Sequence, residues 1–293
     1  MLNRIKSELL NFGLKFISVD EKIVRMFLET SPSNVNEIVI LPAIKNVAKK
    51  IVQKLKNKIT HGRVYNGFLN GVRVSVIRSQ IGCPNVAILM ESLKRCKTKA
   101  VLRVDVCGGI PDQFNQINIG DIIIPSKIYC DDGVTPHYIR INPSLLNFME
   151  HADSPFGTIN NLSIVNKTIP IVKPNEDIKN ILLNKARTII GSSRVKECAL
   201  WTTDALFCED FEFIRAMKEL KINSIDMESS ILLLLSSLFN IKSASILSVS
   251  DIPLDPKNDF LKSKEIHPDL EKGIDDSIKI LINSLPDIKK IIS

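Results

Sequence analysis

What the chain lacks narrows its function. Its six cysteines (Cys83, Cys96, Cys107, Cys130, Cys198 and Cys208) form no Cys-x-x-Cys pair and no histidine stands at metal-ligand spacing, which argues against a zinc module and a secreted disulfide scaffold. The longest apolar run, Ile231 to Phe239, is broken by Ser236 and Ser237 and falls well short of the roughly 20 residues that span a bilayer. Residues 1 to 15 set Arg4 and Lys6 close to Glu8, with no long apolar stretch and no small-residue cleavage site; an amphipathic helix start is expected there, not a signal peptide. No Gly/Ser/Pro-rich linker, internal repeat or low-complexity tract divides the chain. The net charge is +7, yet Lys and Arg are scattered among acids without an aromatic-interleaved basic stripe. Neither nucleic acid nor a membrane is therefore an expected partner, whereas small anions are compatible. A reducing cytoplasm is the expected compartment.

What is present describes an ordinary globular protein. The 293 residues are 44% hydrophobic and 24% charged, enough for a large core. We expect a helical N-terminal extension over residues 1–35, where Leu9, Leu10, Phe12, Leu14, Phe16, Ile23, Met26 and Phe27 follow a helical period that ends at Ser31-Pro-Ser-Asn34, and one domain over residues 36–293. Strands are predicted at 37–42, 71–77, 100–106, 121–124, 162–165, 197–202, 224–227 and 243–249. Helices are predicted at 45–56, 84–93, 177–188, 212–220, 228–238 and 270–285. This alternation predicts an α/β fold with a largely parallel or mixed sheet covered on both faces.

In such sheets ligands gather beyond the carboxyl ends of the strands, so polar residues there carry the interest. Asp226-Met-Glu-Ser-Ser230 joins a short strand to an apolar helix. Asp226 can cap that helix and Glu228 complement its dipole; alternatively, Glu228 accepts hydrogen bonds from vicinal sugar hydroxyls, since an ionised carboxylate is acceptor-only. Ser248-Val-Ser-Asp251 ends another strand; Asp251 serves either as a turn residue or as an acid whose pKa is raised in a dry crevice. Thr202-Thr203-Asp204 reads as a turn or structural hydrogen bond. Arg103 lies inside a central strand and must be paired or bind an anion. Asp105, two residues on and therefore on the same face, is one candidate partner and a ligand is the other.

Taken together these segments resemble the nucleoside phosphorylases, the family of purine nucleoside and uridine phosphorylases and related nucleosidases. The resemblance covers roughly residues 37 to 285. It rests on Tyr65-Asn-Gly-Phe-Leu-Asn-Gly71, Ile81-Gly-Cys-Pro84, Leu102-Arg-Val-Asp-Val-Cys-Gly-Gly109, Asn118-Ile-Gly-Asp-Ile-Ile-Ile-Pro125, Thr202-Thr-Asp204, Asp226-Met-Glu-Ser229 and Val249-Ser-Asp251. It implies a three-layer α/β/α fold whose central mixed sheet is partly barrel-like. It also implies phosphorolysis of a purine nucleoside to free base and ribose 1-phosphate, with phosphate as co-substrate, no other cofactor and no metal, in a dimer-based homo-oligomer up to a hexamer. By resemblance Arg103 and Asn46 stand at phosphate positions, Met227 and Glu228 at the ribose, Cys107, Gly108 and Leu206 at the base, and Asp251 is the catalytic acid that protonates the purine.

The chain departs from the family pattern at the phosphate end. Pro42 is followed by Ala43-Ile-Lys-Asn46 where the family has a glycine turn and then an arginine, Thr60 stands at a second arginine position with His61 and Arg63 nearby, and Asp105 and Val106 replace a Gly-Thr pair. Phe27 falls where a partner histidine would reach the sugar. Two other readings follow from these departures: a nucleosidase that uses water, for which no glutamate is found over residues 43–47, and a nucleoside-binding protein without turnover.

Overall fold

The computed structural model describes residues 17–147, 149–156, 168–263 and 265–293. Among these lie eleven strands: β1 (Ile38–Ile40), β2 (Lys56–His61), β3 (Val64–Leu69), β4 (Val72–Val76), β5 (Ala100–Gly109), β6 (Ile122–Asp131), β7 (Glu150–Asp153), β8 (Thr168–Val172), β9 (Val195–Thr203), β10 (Ile222–Asp226) and β11 (Lys242–Asp251). The helices are α1 (Val19–Leu28), α2 (Lys45–Gln53), α3 (Cys83–Leu93), α4 (Thr135–Ile141), α5 (Glu176–Ile190), α6 (Phe211–Glu219), α7 (Ser229–Leu238) and α8 (Pro268–Ile292). The strand expected at 162–165 and the part of the expected helical extension at residues 1–16 lie outside the described residues.

β5, β10, β9, β6 and β11 form a closed ring, because β11 pairs with both β5 and β6. β5 runs parallel to β11 and antiparallel to β10, so the ring is mixed. From β5 the sheet continues through β1, β4, β3 and β2, and from β6 through β8 and β7. Alternation along each strand sends side chains to two cores. One holds Val101 and Cys107 of β5 against Leu89 of α3 and Leu232 of α7; the other holds Leu102 and Val104 against Ile178 of α5 and Ile278 of α8. The three-layer α/β/α architecture with a partly barrel-like mixed sheet is thereby observed.

Local chemistry accounts for most element boundaries. Ser18 caps α1, its Oγ accepting from Glu21 N at 3.1 Å, and Asn175 caps α5 in the same way. α7 is buried on nearly every side, which its Ile-Leu-Leu-Leu-Leu run requires. α1 packs its Val24 and Leu28 into the same core as α3, and Arg95, just beyond the end of α3, meets Asp20 of α1 at 2.7 Å.

Several elements differ from the sequence expectation, among them β7, β8 and α4, which were not expected, and β6, which runs on to Asp131. The β2–β3 hairpin was not expected, because β2 (Lys-Asn-Lys-Ile-Thr-His) is an exposed, charged edge without apolar alternation. β5 extends to Gly109 because its last residues pair with β10. α8 runs through Pro286 to Ile292, since buried Ile288 and Ile292 and the 2.6 Å contact of Lys289 with Glu37 hold the last turns against the core.

α8 approaches the ring at Gly273. A Cβ there would lie 2.1 Å from Ser248 Oγ, 2.7 Å from Gly120 Cα and 2.9 Å from Gly120 O. Alanine would raise helix propensity by about 1 kcal/mol, but two of these contacts are backbone and cannot rotate away. Gly273→Ala is therefore expected to destabilise by about 1–3 kcal/mol net, read as a lower urea midpoint; an unchanged midpoint would contradict the packing described.

Candidate active site

The carboxyl ends of β1, β5, β10 and β11 converge on a cavity of about 490 Å³, inside the roughly 300–1,000 Å³ range of small-molecule pockets. Each strand brings one piece of chemistry. β5 presents Arg103 and Asp105, the loop after β1 presents backbone amides, β10 ends on Asp226 just before Met227 and Glu228, and β11 ends on Asp251.

Asp226 is the helix cap. Its carboxylate accepts from Ser229 N at 3.1 Å and from Thr202 Oγ1 at 2.7 Å, and Thr202 Oγ1 in turn accepts from Ser230 N at 3.1 Å. Thr202 thus has the structural hydrogen bond expected of it. With the cap supplied by Asp226, Glu228 turns into the cavity. Its Oε1 accepts from Gly82 N at 2.8 Å and its Oε2 from Arg103 Nη2. The Gly82 donor sits at φ +100°, a conformation that favours glycine.

Arg103 is buried among three carboxylates: Glu228 in direct contact, Asp226 at 3.5 Å and Asp105 at 3.9 Å. Burial opposes its charge, but Glu228, Asp226 and Asp105 hold the guanidinium above its ordinary pKa. One cation cannot satisfy three acids. Burial and the crowding by Asp226 and Asp105 push Glu228 upward against the pull of Arg103, and burial likewise raises Asp105. Arg103 Nη1 has no hydrogen-bond partner.

At the opposite end of the chemistry, a bulge between Val249 and Asp251 sets Asp251 opposite Gly108. Burial, with Asp259 nearby, lifts the Asp251 carboxyl to about 6 against the Ser250 hydrogen bond. Ser250 Oγ lies 3.0 Å from Cys107 O and 2.5 Å from Asp251 Oδ1. A hydroxyl has one proton to give, so when Ser250 donates to the Cys107 carbonyl the shorter contact requires a protonated Asp251.

Of the residues singled out by resemblance, the cavity lining brings together Arg103, Cys107, Gly108, Leu206, Met227, Glu228 and Asp251. Asn46 is not brought there: it is exposed and its amide donates to Glu271 at 2.9 Å. Thr60 and His61 lie on the β2 edge, and Arg63 donates to Phe27 O and Arg78 O, anchoring α1. Sequence reasoning missed Glu209, which lines the cavity and is lifted by burial, then by Asp251 and Asp259, to about 8. It also missed Lys257, Phe260 and His267 on the rim. None of these carries a local sequence signal.

A model of the phosphorylase superfamily matches residues 37–286. A DeoD-type purine nucleoside phosphorylase of Buchnera aphidicola is 24% identical over 265 residues, covering 88% of this chain and 97% of that protein. A 5′-methylthioadenosine/S-adenosylhomocysteine nucleosidase of Desulfotalea psychrophila is 32% identical over 94 residues, 30% of this chain and 39% of that protein. Among solved structures, the purine nucleoside phosphorylase of Toxoplasma gondii in complex with immucillin-H superimposes with TM-score 0.66 at 16% identity, covering 90% of this chain and 95% of that one. The uridine phosphorylase of Vibrio fischeri in complex with 6-hydroxy-1-naphthoic acid superimposes with TM-score 0.64 at 20% identity, covering 87% and 93%.

Proposed function

The chain belongs to the phosphorylase superfamily, and on that premise we propose that it cleaves the N-glycosidic bond of a purine nucleoside, with water as the nucleophile. The observation that carries the reading is that Glu228, just after β10, and Asp251, at the end of β11, line one cavity. Glu228 accepts hydrogen bonds from the ribose hydroxyls and its charge favours the electron-poor sugar of the transition state. Met227 packs under the ribose. Cys107, Gly108 and Leu206 flank the base, and Asp251 gives its proton to the departing purine.

Water is preferred to phosphate because Arg103 already faces three carboxylates, so a dianion brought beside it would meet a surplus of negative charge. Phosphorolysis, with phosphate on Arg103, is a second reading. It is favoured by Nη1 of Arg103, which makes no hydrogen bond although Asp226 Oδ2 stands 3.5 Å away, and leaves ribose 1-phosphate as product.

Chromatography of base released from inosine, guanosine, adenosine and a methylthio analogue tests the reading: hypoxanthine, guanine or adenine is expected. Nucleoside binding with no product from any of them would replace it with the non-catalytic alternative. We further propose a homo-oligomer built from dimers, up to a hexamer, in the cytoplasm; light scattering on the purified chain measures the assembly.

Glu228→Gln keeps the volume and the acceptor for Gly82 N but removes the charge. Charged hydrogen bonds exceed neutral ones by about 1–2 kcal/mol, so kcat/KM for a ribonucleoside is expected to fall roughly 5–30-fold. A 2′,3′-dideoxynucleoside, which has no hydroxyls for Glu228, should lose far less. Equal losses for both substrates would remove Glu228 from the sugar.

A further inference from the structure

The loop after β1 and the face of β5 build an anion site that is filled from within. Ala43 N and Ile44 N both point at Asp105 Oδ2, the first in direct contact and the second at 3.4 Å, while Val106 N donates to Oδ1 at 3.1 Å. Successive backbone N–H groups of this kind make an anion-binding concavity, and the Arg103 guanidinium stands beside it. Asp105 is 1% exposed, and both it and Arg103 belong to the cavity lining. The Nη1 of Arg103, also buried, makes no hydrogen bond and has Asp226 Oδ2 as an ion-pair partner at 3.5 Å, so the cation retains hydrogen-bond donor capacity.

We infer that the Asp105 carboxylate is a resident oxyanion: it fills the nest of the Ala43 and Ile44 amides beside Arg103, keeps inorganic phosphate out, and takes the proton of the water that attacks the sugar. The catalytic part of this rests on the proposed hydrolysis; the filled nest does not. A carboxylate offers about four lone-pair sites, and three N–H groups occupy three of them, leaving one for a water proton. In the step, the water oxygen bonds to the anomeric carbon as its proton passes to Asp105. The carbon–nitrogen bond breaks with its electron pair going to the purine, and Asp251 protonates the purine. Afterwards Asp105 returns its proton to solvent and Asp251 regains one, so one water is consumed and both acids are restored.

Calorimetric titration with inorganic phosphate tests the nest. The wild-type protein is expected to give no saturable heat. Asp105→Ala, which leaves Glu228 and Asp226 beside Arg103, opens the nest and is expected to bind phosphate. The same variant should lose roughly 10²-fold or more of its base release in phosphate-free buffer, the low end for a general base. Added phosphate should restore part of it, with a sugar phosphate as product. Phosphate binding by the wild type, or its absence in a folded Asp105→Ala checked by thermal melting, would overturn the inference. If Asp105→Ala does not fold, Asp105→Ser, whose hydroxyl can accept one amide proton, is held to the same two outcomes. Should the wild type cleave no nucleoside, the calorimetry still decides the nest, so the two failures are distinguishable.

Discussion

Replacing Asp251 with asparagine is expected to lower kcat/KM for a purine nucleoside by about 10³-fold, within the range of general acid catalysis. Asparagine matches the volume and can still meet Ser250, but it has no proton to give to the leaving purine. The pH dependence separates this from a structural effect. Asp251 works as the protonated acid and its pKa stands at about 6, so wild-type activity should fall about tenfold per pH unit above that value. The asparagine variant should lack this alkaline limb.

Stability moves the other way. A carboxyl raised by folding contributes stability that is present below its unfolded pKa of 3.8 and is lost as pH rises through about 6. The permanently neutral variant should therefore be at least as stable as wild type above pH 6. A slow variant that keeps the wild-type pH profile would remove Asp251 from the chemistry.

Arg103→Leu is expected to be the most destabilising single change in the cavity. Removing one partner of a buried ion pair costs about 3–5 kcal/mol, and here Glu228, Asp226 and Asp105 would all lose their shared cation. The loss should depend on pH. Glu228 and Asp105 are already raised above their ordinary values with Arg103 in place. Without it the folded state would bind protons more avidly still. The sign follows from linkage: stability present at low pH is lost as pH rises through the raised pKa values. Urea denaturation should show the variant closest to wild type in mild acid and furthest from it above neutrality. A constant difference across pH would mean that Arg103 does not hold these carboxylates.

The ends of β5, β10 and β11 were legible because unusual residue types mark them: an arginine and an aspartate in an apolar run, two acids before a leucine-rich helix, and an acid after Ser248-Val-Ser. The alternative roles of Asp226 and Glu228 were separated only by the structure, which gives the cap to Asp226 and frees Glu228. The even choice between Asp105 and a ligand for Arg103 also resolves into something neither option stated, since Glu228 makes the direct contact and Asp105 answers mainly to the amides of Ala43 and Ile44. Backbone donors leave no trace in sequence, and these lie about sixty positions from their acceptor. Asn46 was placed by position relative to a motif, whereas the first turn of α2 carries it to the surface beside Glu271. Glu209 escaped notice because its raised pKa comes from Asp251 and Asp259, brought near by tertiary structure after burial has done most of the lifting.

The most direct measurement is phosphorus NMR of the wild-type protein turning over inosine or adenosine in phosphate buffer, with the sugar product quantified alongside. The cavity described here predicts free ribose and purine base in equal amounts and no new phosphate ester. Accumulation of ribose 1-phosphate, at a rate that rises with phosphate, would contradict it.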